Sequence, residues 1–287
     1  MTLWLALDIG GTRSRAAAVT NTGAFARRAQ AATPLALEAG VELIWRLADD
    51  VLAGERPQAV GVSIGGPLDW RNGRVSPLHQ PAWRDIPFRD MVAGRFGCPV
   101  YLDVDTNIAV AGEYLADPTR PQRLLYLTLS TGMGGGFLVG GRIYRGGDAA
   151  HPEVAHQAIP FRCRHPERAV CECGSEGCLE ALISGNGIRR IYGVPAEELD
   201  PEAWSEVAYN LGQGLRNLTV ICAPDVIVLA GSVALGGGAP LLAGALQVLH
   251  RNVRIVPIPQ VRLSTLGPDS ALIGAATVAR LGYDPVG

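Results

Sequence analysis

LALDIGGTRSR, residues 5–15, is the stretch that indicates most about how this chain folds. The apolar run before Asp8 predicts a buried strand, the glycines after it predict a tight turn, and residues 13–20 alternate as a second strand. A similar stretch, LTLSTGMGGG, occupies residues 127–136. A strand, a glycine turn and another strand, at corresponding places in two halves, predict a duplicated α/β domain.

The boundary between the two domains is expected at DPTRP, residues 117–121, because its prolines oppose a continuing helix. An N-terminal α/β domain is predicted over residues 1–117. A C-terminal α/β domain is predicted over 118–269, with an insertion at 151–180. The last helical segment, within 270–287, is expected to pack back on the first domain.

Composition and charge narrow the class of protein. The chain has 287 residues, of which 48% are hydrophobic, so it can form a substantial core. Its net charge of −2 gives no support for binding nucleic acid or an anionic membrane. The start MTLWLALD lacks the basic stretch of a signal peptide, so a cytoplasmic location is expected. Residues 226–249 carry no charge, but their glycines and Pro240 predict a strand, a turn and a helix rather than a membrane span.

Cysteine and histidine spacing predicts a zinc site in the second half. Cys171, Cys173 and Cys178 form a C-x-C-x4-C pattern, and His156 lies just upstream. Three thiolates and one imidazole complete a tetrahedral site. Because protein groups fill all four positions, the zinc is predicted to be structural rather than catalytic.

Two carboxylates bracket this zinc motif. Glu153 precedes His156, and Glu180 follows the last cysteine. A metal-stapled segment flanked by carboxylates suggests a rigid platform that holds acidic groups toward a ligand. Cys163 and His165 lie within the same segment, and spacing leaves open whether either joins the metal site.

Glycine turns after buried strands predict a place for the phosphates of a nucleotide, because backbone N–H groups can approach the oxygens there. The turn after Asp8 and the loop from Ser130 to Gly135 are two such places, and Asp8 can hold Mg²⁺ through water. A third loop, LAGSVALGGG at 229–238, could contact adenine or ribose or could simply join a strand to a helix. The residues assigned to the nucleotide are Asp8, Gly10, Gly11, Thr12, Thr131, Gly132, Gly134, Gly231 and Ser232.

YLDVDTNIAVAGEY, residues 101–114, places Asp105 where a strand is predicted to end and a helix to begin. A carboxylate there can be an N-cap. It can also be a general base that accepts a proton from a substrate hydroxyl during phosphoryl transfer. Asp103 competes for that role, and Asp105 is favoured because it abuts the helix start and precedes Asn107.

These motifs together resemble the ROK family of bacterial sugar kinases. LALDIGGT, GVSIGGPLD, DVDTNIAVAGEY, STGMGGG, PEVAH and CECGSEGCLE occur in the family's order and cover nearly the whole chain. The resemblance implies an actin-like fold of two ribonuclease-H-type domains, with sugar and ATP in a cleft between them. It also implies ATP-dependent phosphorylation of a sugar hydroxyl, usually at C6, by a homodimer or homotetramer.

The resemblance also assigns residues to the substrate. Asp105 matches the catalytic base. The substrate-binding positions are Gly65, His79, Val104, Asp105, Glu153, His156 and Glu180. His156 can contact the sugar through one nitrogen while the other binds zinc. His151 and His250 are predicted to be surface residues. Family repressors begin with a winged helix-turn-helix, and this sequence starts on the first strand, so a repressor is not expected.

Two departures from the family pattern bear on the substrate. Val104 stands where many ROK glucokinases have an Asn that holds sugar hydroxyls at C3 or C4, and its side chain cannot hydrogen-bond. His79, in PLHQPAW, replaces the Asn of a PNLPGW-like loop. Beside a hexose such as glucose, these changes leave open fructose, an aminosugar such as 3-amino-3-deoxyglucose, or a C7 cyclitol. A non-catalytic sugar sensor is an alternative, but the presence of Asp105 and of the phosphate loops argues against it. A zinc ribbon that binds nucleic acid is another, and the net negative charge of the chain argues against that one.

Overall fold

The chain folds into two α/β units in a computed structural model that describes residues 2–283. The first unit contains the residues up to Arg120, the segment Gly141–His151, and the residues from Asp269 onwards. The second unit contains Pro121–Gly140 and Pro152–Pro268.

The secondary structure follows the expected alternation of strands and helices. The strands are β1 (Leu3–Ile9), β2 (Arg13–Val19), β3 (Phe25–Ala32), β4 (Pro57–Ile64), β5 (Leu68–Asp69), β6 (Arg74–Val75), β7 (Val100–Val104), β8 (Arg123–Leu129), β9 (Met133–Val139), β10 (Arg142–Ile143), β11 (Val226–Ala230) and β12 (Gln260–Leu263). The helices are α1 (Leu37–Leu52), α2 (Phe88–Phe96), α3 (Asp105–Ala116), α4 (Leu179–Ile183), α5 (Gly185–Tyr192), α6 (Pro201–Cys222), α7 (Ser232–Asn252) and α8 (Ser270–Leu281).

A five-stranded sheet in the order β3-β2-β1-β4-β7 forms the centre of the first unit. β1 pairs antiparallel with β2 and parallel with β4, and β4 pairs parallel with β7. The last residues of the three parallel strands, Ile9, Ile64 and Val104, are aligned in register. The turns that follow these strands therefore leave the sheet at one common edge.

Helices cover both faces of this sheet. α1 packs its buried side, including Ile44 and Leu47, against one face. α3 and α8 pack on the other, where a Cβ atom on Gly274 would lie 1.9 Å from the carbonyl oxygen of Ile108. Only glycine allows that close approach, so α8 docks firmly on the first unit.

The second unit repeats this arrangement. The strands that this unit contributes to its sheet run in the order β9-β8-β11-β12, with β8 antiparallel to β9 and parallel to β11, and β11 parallel to β12. α6 and α7 pack closely, since a Cβ atom on Gly212 would lie 2.5 Å from Cβ of Val248. Each unit thus begins with an antiparallel pair and continues with parallel strands, as expected for a duplicated domain.

α7 contains most of the uncharged segment noted in the sequence, and by length and composition alone it is apolar enough to cross a membrane. Gly238 has non-helical dihedrals (φ 55°, ψ −144°), and Pro240 lies inside the helix. Leu241, Ala245 and Leu249 are buried in the core of the second unit. The helix starts directly after β11, so the predicted glycine turn is instead a kink within the helix.

Candidate active site

Asp105 is the first residue of α3, directly after β7. Val104 occupies the N-cap position, so Asp105 is not the N-cap. Its Oδ1 accepts a hydrogen bond from the Thr106 backbone N–H at 2.7 Å. The side chain is exposed at the common edge of the parallel strands, where a ligand can reach it.

The surroundings of Asp105 make its carboxylate more basic. Desolvation by the surrounding protein and the negative charge of Asp8 raise the pKa of Asp105 to about 6. The Thr106 N–H, His151 and His79 oppose that rise. The surrounding protein displaces part of the water that would hydrate the Asp105 carboxylate. The side chain nevertheless keeps exposed surface, so a ligand can still reach it. A pKa near 6 suits a group that must be ionised at neutral pH and still accept a proton.

Asp103, the competing candidate for the base, is used for structure. Its side chain is 2% exposed. Its Oδ1 accepts hydrogen bonds from the Val104 N–H at 2.8 Å and from Asn107 Nδ2 at 3.0 Å. Its Oδ2 forms an ion pair with the guanidinium of Arg145. Asp103 therefore has neither the exposure nor the free oxygen that a general base needs.

Asp8 lies at the end of β1 and is held by two side chains. Its Oδ1 accepts a hydrogen bond from Ser63 Oγ at 2.9 Å, and its Oδ2 from Arg15 Nε at 2.8 Å. Arg15 also contacts Asp269 at 3.0 Å, which orients the guanidinium. Oδ2 also faces Nη2 of Arg15 at 2.5 Å, so it is fully engaged by the guanidinium. Oδ1 keeps a lone pair beyond its contact with Ser63, and this oxygen fits the role of holding a hydrated Mg²⁺.

The turn after β1 lies beside His79. Gly10, Gly11 and Thr12 connect β1 to β2, and the Gly10 N–H donates to the Arg13 carbonyl at 3.0 Å. A Cβ atom on Gly11 would lie 2.6 Å from Cβ of His79. His79 itself is exposed. The contact explains why glycine is needed at position 11, and it places His79 at the edge that carries Asp105.

One residue beside Gly66 in the first unit was not indicated by the sequence as a site residue. A Cβ atom on Gly66 would lie 3.5 Å from Cγ1 of Val104 and 3.8 Å from Cε1 of His151. This residue is His151, which was predicted to be a surface residue and is half-buried beside Gly66. Gly65, the predicted substrate contact, immediately precedes Gly66 and is also half-buried.

The glycine loop of the second unit is shorter than predicted. Only Ser130, Thr131 and Gly132 lie between β8 and β9, and Gly134 pairs with Thr128 inside the sheet. Gly134 and Gly135 therefore do not belong to a flexible loop. The turn is held by backbone bonds from Gly185 and Asn186 to the carbonyls of Ser130 (2.7 Å) and Thr131 (2.9 Å).

The loop before α7 lies at the same edge of this sheet. β11 ends beside β8, with Ala230 paired to Thr128. Gly231 follows with φ 89°, and a Cβ atom there would lie 2.2 Å from the Leu129 carbonyl oxygen. Ser232 then opens α7, whose N-terminal N–H groups favour an anion.

The predicted zinc ligands come together in the second unit. One ligand atom from each of His156, Cys171, Cys173 and Cys178 lies within 4.8 Å of all the others. His156 Nδ1 lies 3.5 Å from Cys171 Sγ, and Cys173 Sγ lies 3.6 Å from Cys178 Sγ. Zinc bonds of about 2.0–2.3 Å at tetrahedral angles separate ligand atoms by about 3.3–3.8 Å, so this donor set fits zinc.

Cys163 and His165, whose participation was open, lie outside this cluster. Cys163 packs against the apolar core of the second unit. His165 Nδ1 lies 3.7 Å from Glu167 Oε1. Among the described residues, the cluster therefore consists of the four predicted ligands.

The two bracketing carboxylates both contact His156. Its Nδ1 lies 3.5 Å from Glu180 Oε2, and its Nε2 lies 3.9 Å from Glu153 Oε2. Glu180 Oε1 also accepts a hydrogen bond from the Met133 N–H at 3.1 Å. Nδ1 thus faces the thiols while Nε2 points away from them. Glu180 thus links the group of four predicted zinc ligands to the start of β9.

Comparison with known proteins identifies the family to which this chain is similar. A model described as ROK family matches residues 4–281. The glucokinase of Streptomyces coelicolor is 26% identical over 98% of this chain and 98% of its own length. The ROK hexokinase from Thermus thermophilus is 32% identical with a TM-score of 0.86, covering 98% of both chains.

A further solved structure carries ligands. It is a ROK family glucokinase from Streptomyces griseus in complex with glucose and AMPPNP, and it is 27% identical to this chain. The TM-score is 0.81, and the likeness covers 98% of this chain and 100% of that one. These likenesses confirm the actin-like fold that was expected from the sequence.

Proposed function

The chain belongs to the ROK family and is an ATP-dependent sugar kinase, and on that premise we propose that it phosphorylates the 6-hydroxyl of a hexose or hexose-like substrate. Asp105 carries this proposal as the general base. It is an exposed carboxylate at the edge where the parallel strands of the first unit end, and its pKa is raised to about 6. Asp103 is buried in an ion pair, which leaves Asp105 to receive the proton.

The proposed chemistry is a direct transfer. The substrate oxygen attacks the γ-phosphorus of ATP as its proton passes to Asp105, and ADP leaves. Oδ1 of Asp105 is held by the Thr106 N–H, so Oδ2 is the oxygen that accepts the proton. Phosphoryl transfer depends mainly on positioning of the reactants and on charge stabilisation. One oriented general base is therefore the only side chain that must exchange a proton with the substrate.

Backbone N–H groups of two short turns, Gly10–Thr12 and Ser130–Gly132, are the proposed phosphate contacts. Gly231 and Ser232, at the start of α7, are assigned to the adenosine part. Asp8 would hold Mg²⁺ through water, and the ion would supply positive charge against the phosphates. The anchoring of Asp8 by Ser63 and Arg15 supports that role, because it fixes the carboxylate before ATP arrives.

Glu153, His156 and Glu180 are the proposed sugar contacts of the second unit. Zinc at His156, Cys171, Cys173 and Cys178 would be structural, because the four protein ligands leave no position for a reacting water. Its proposed effect is to hold the imidazole by Nδ1 so that Nε2 and Glu153 can bind substrate hydroxyls. The orientation of the ring between two carboxylates supports this division.

The identity of the sugar is the finer part of the proposal. Val104 is 3% exposed and offers no side-chain hydrogen bond. His79 is exposed and stands where the family resemblance implies an asparagine. The pocket is therefore glucokinase-like but altered. Fructose, an aminosugar such as 3-amino-3-deoxyglucose and a C7 cyclitol are alternatives to glucose. A cytoplasmic homodimer or homotetramer is expected, and light scattering would measure the assembly.

A coupled ADP-release assay over a panel of these sugars tests the proposal. Turnover of at least one member with Mg-ATP is expected, and NMR of the product should place the phosphate on the 6-position. Strong turnover of glucose would show that Val104 and His79 are tolerated. Sugar binding without ADP release for any member would indicate a sugar sensor and would contradict the kinase mechanism.

A further inference from the structure

The segment from Arg145 to His151 is anchored at its first residue to the strand that carries the base. Arg145 forms an ion pair with Asp103, which is 2% exposed. The guanidinium also lies 4.0 Å from the ring centre of Trp70 and 4.9 Å from that of Tyr283. Tyr283 in turn donates a hydrogen bond to the Leu102 carbonyl at 2.9 Å. The start of the segment is thereby held against β7.

The backbone between Arg145 and His151 forms a hydrogen-bonded turn that contains strained residues. The Gly146 N–H donates to the Ala150 carbonyl at 2.6 Å, and the Ala150 N–H to the Gly147 carbonyl at 3.1 Å. Asp148 and Ala149 both have positive φ, at 55° and 62°. A left-handed conformation costs an alanine about 1 kcal/mol, and such residues cluster where a loop presents a functional group.

The group presented by this loop is the imidazole of His151. It lies beside Gly66, since a Cβ atom built on Gly66 would lie 3.8 Å from Cε1 of His151, and the same Cβ atom would lie 3.5 Å from Cγ1 of Val104. It also interacts electrostatically with Asp105. Val104 has no polar atom in its side chain, whereas an imidazole offers both a donor and an acceptor.

We propose that His151 is a substrate-binding residue that hydrogen-bonds one hydroxyl of the sugar other than the one that is phosphorylated. In this way it supplies polar recognition beside the apolar Val104 and sets which hydroxyl pattern is accepted. The inference rests on the proposed kinase function. It assigns to a residue of the first unit a role in choosing among polyhydroxylated rings.

The test combines His151→Ala with monodeoxy analogues of the best substrate from the panel. For one analogue, wild-type kcat/KM should fall by about tenfold, the typical loss for one hydrogen bond. His151→Ala should show a similar fall with the full substrate, mainly in KM, and no further fall with that analogue. His250→Ala, on an exposed histidine of α7, is the matched control and should behave as wild type.

Several outcomes would overturn the inference. If every deoxy penalty is the same in wild type and His151→Ala, the imidazole contacts no substrate hydroxyl. If the deoxy penalties are equal but wild type turns over the panel and Asp105→Asn does not, the proposed kinase function stands and only the role of His151 is refuted. If wild type turns over no sugar, the proposed function and this inference fall together.

A measurement on the wild-type protein covers the case in which His151→Ala does not fold. Diethyl pyrocarbonate modifies accessible imidazoles, and mass spectrometry locates each modified residue. Saturating substrate should slow modification of His151 by about tenfold or more, while the rate at His250 stays constant. Equal rates at His151 with and without substrate would contradict the proposal.

Discussion

Asp103 and Asp105 are separated by one residue, yet their surroundings give them different chemistry. Burial raises the pKa of Asp103, and Arg145 opposes that rise as its ion-pair partner. Asp105 lies at the start of α3, keeps exposed surface, and is influenced by the charge of Asp8. The end of a strand and the start of a helix therefore separate a structural carboxylate from one that can act on a ligand.

The pH dependence of catalysis should report Asp105. Since its pKa is raised to about 6 and the base acts as the carboxylate, kcat/KM should fall about tenfold per pH unit below that value. Asp8→Asn removes the charge that helps raise the pKa, so the midpoint should move to lower pH, whatever the remaining rate. A wild-type midpoint near pH 4, typical of an unperturbed aspartate, would contradict the account.

Arg145 should matter for stability because it neutralises a buried carboxylate. Arg145→Met leaves Asp103 without its cation, and a loss of about 3–5 kcal/mol is expected in denaturant unfolding. Adding Asp103→Asn should recover much of this loss. Arg74→Met, which breaks an exposed pair with Asp85, is the control and should change stability little. If Arg145→Met left the free energy of unfolding unchanged, the ion pair with Asp103 would not be needed for stability.

At this scale, the sequence indicated Asp105 as the candidate base, which stays a prediction, and motif spacing indicated the four residues that the structure brings into one cluster. Arg145 and His151 were not predicted. Their importance depends on contacts with β7 and with Gly66, which come from distant parts of the chain. Spacing also could not separate Cys163 from the metal ligands, since only the packed structure shows that it lies against the core.

Short turns position the candidate site, and their glycines are needed for close approach. Gly231→Ala would place a Cβ atom 2.2 Å from the Leu129 carbonyl oxygen at φ 89°. Gly193, also in the second unit, has φ 78°, and no atom of the described residues lies within 4 Å of its Cβ position. Gly193→Ala should cost about 1 kcal/mol, and Gly231→Ala about 1–3 kcal/mol more, by urea unfolding. Equal costs would mean that the β11–α7 connection can relax.

The cysteine cluster should hold zinc and support sugar binding. Mass spectrometry of metals in the purified protein is expected to find about one zinc per chain. Cys173→Ser should lose the zinc and raise KM for the sugar more than KM for ATP, because Glu153, His156 and Glu180 adjoin the cluster. Cys163→Ser is the matched control and should keep its zinc. Full zinc content in Cys173→Ser would contradict the ligand assignment.

The strands β1, β2, β8 and β9, the junction of β7 with α3, and the helix α8 were predicted from the sequence pattern. Other elements were missed for physical reasons. α2 buries only Phe88 and Val92, so its pattern is weak, and α4 is five residues long. α7 was divided by its glycines in the prediction, but tertiary packing of Leu241, Ala245 and Leu249 maintains the helix through its kink. Likewise, Gly134 is accommodated in β9 because ladder pairing with Thr128 outweighs its loop preference.

For the molecule as a whole, the duplication was visible in two short stretches, because each opens one sheet with the same antiparallel pair. The strand order and the docking of α8 on the first unit depend on contacts between distant residues. ROK membership accounts for the repeated fold and for the kinase activity. We propose that the choice of sugar depends on a few side chains around Asp105, where Val104 and His79 differ from the residues that the family resemblance leads us to expect.

The most direct test of the account is the turnover of Asp105→Asn, measured above pH 7 with the best sugar of the panel and saturating Mg-ATP. The variant should lose at least about 100-fold in kcat, because the amide cannot accept the proton, while its unfolding transition stays like that of wild type. Asp50→Asn, on an exposed aspartate of α1, should keep full activity. Near-wild-type turnover by a folded Asp105→Asn would contradict the assignment of Asp105 as the base.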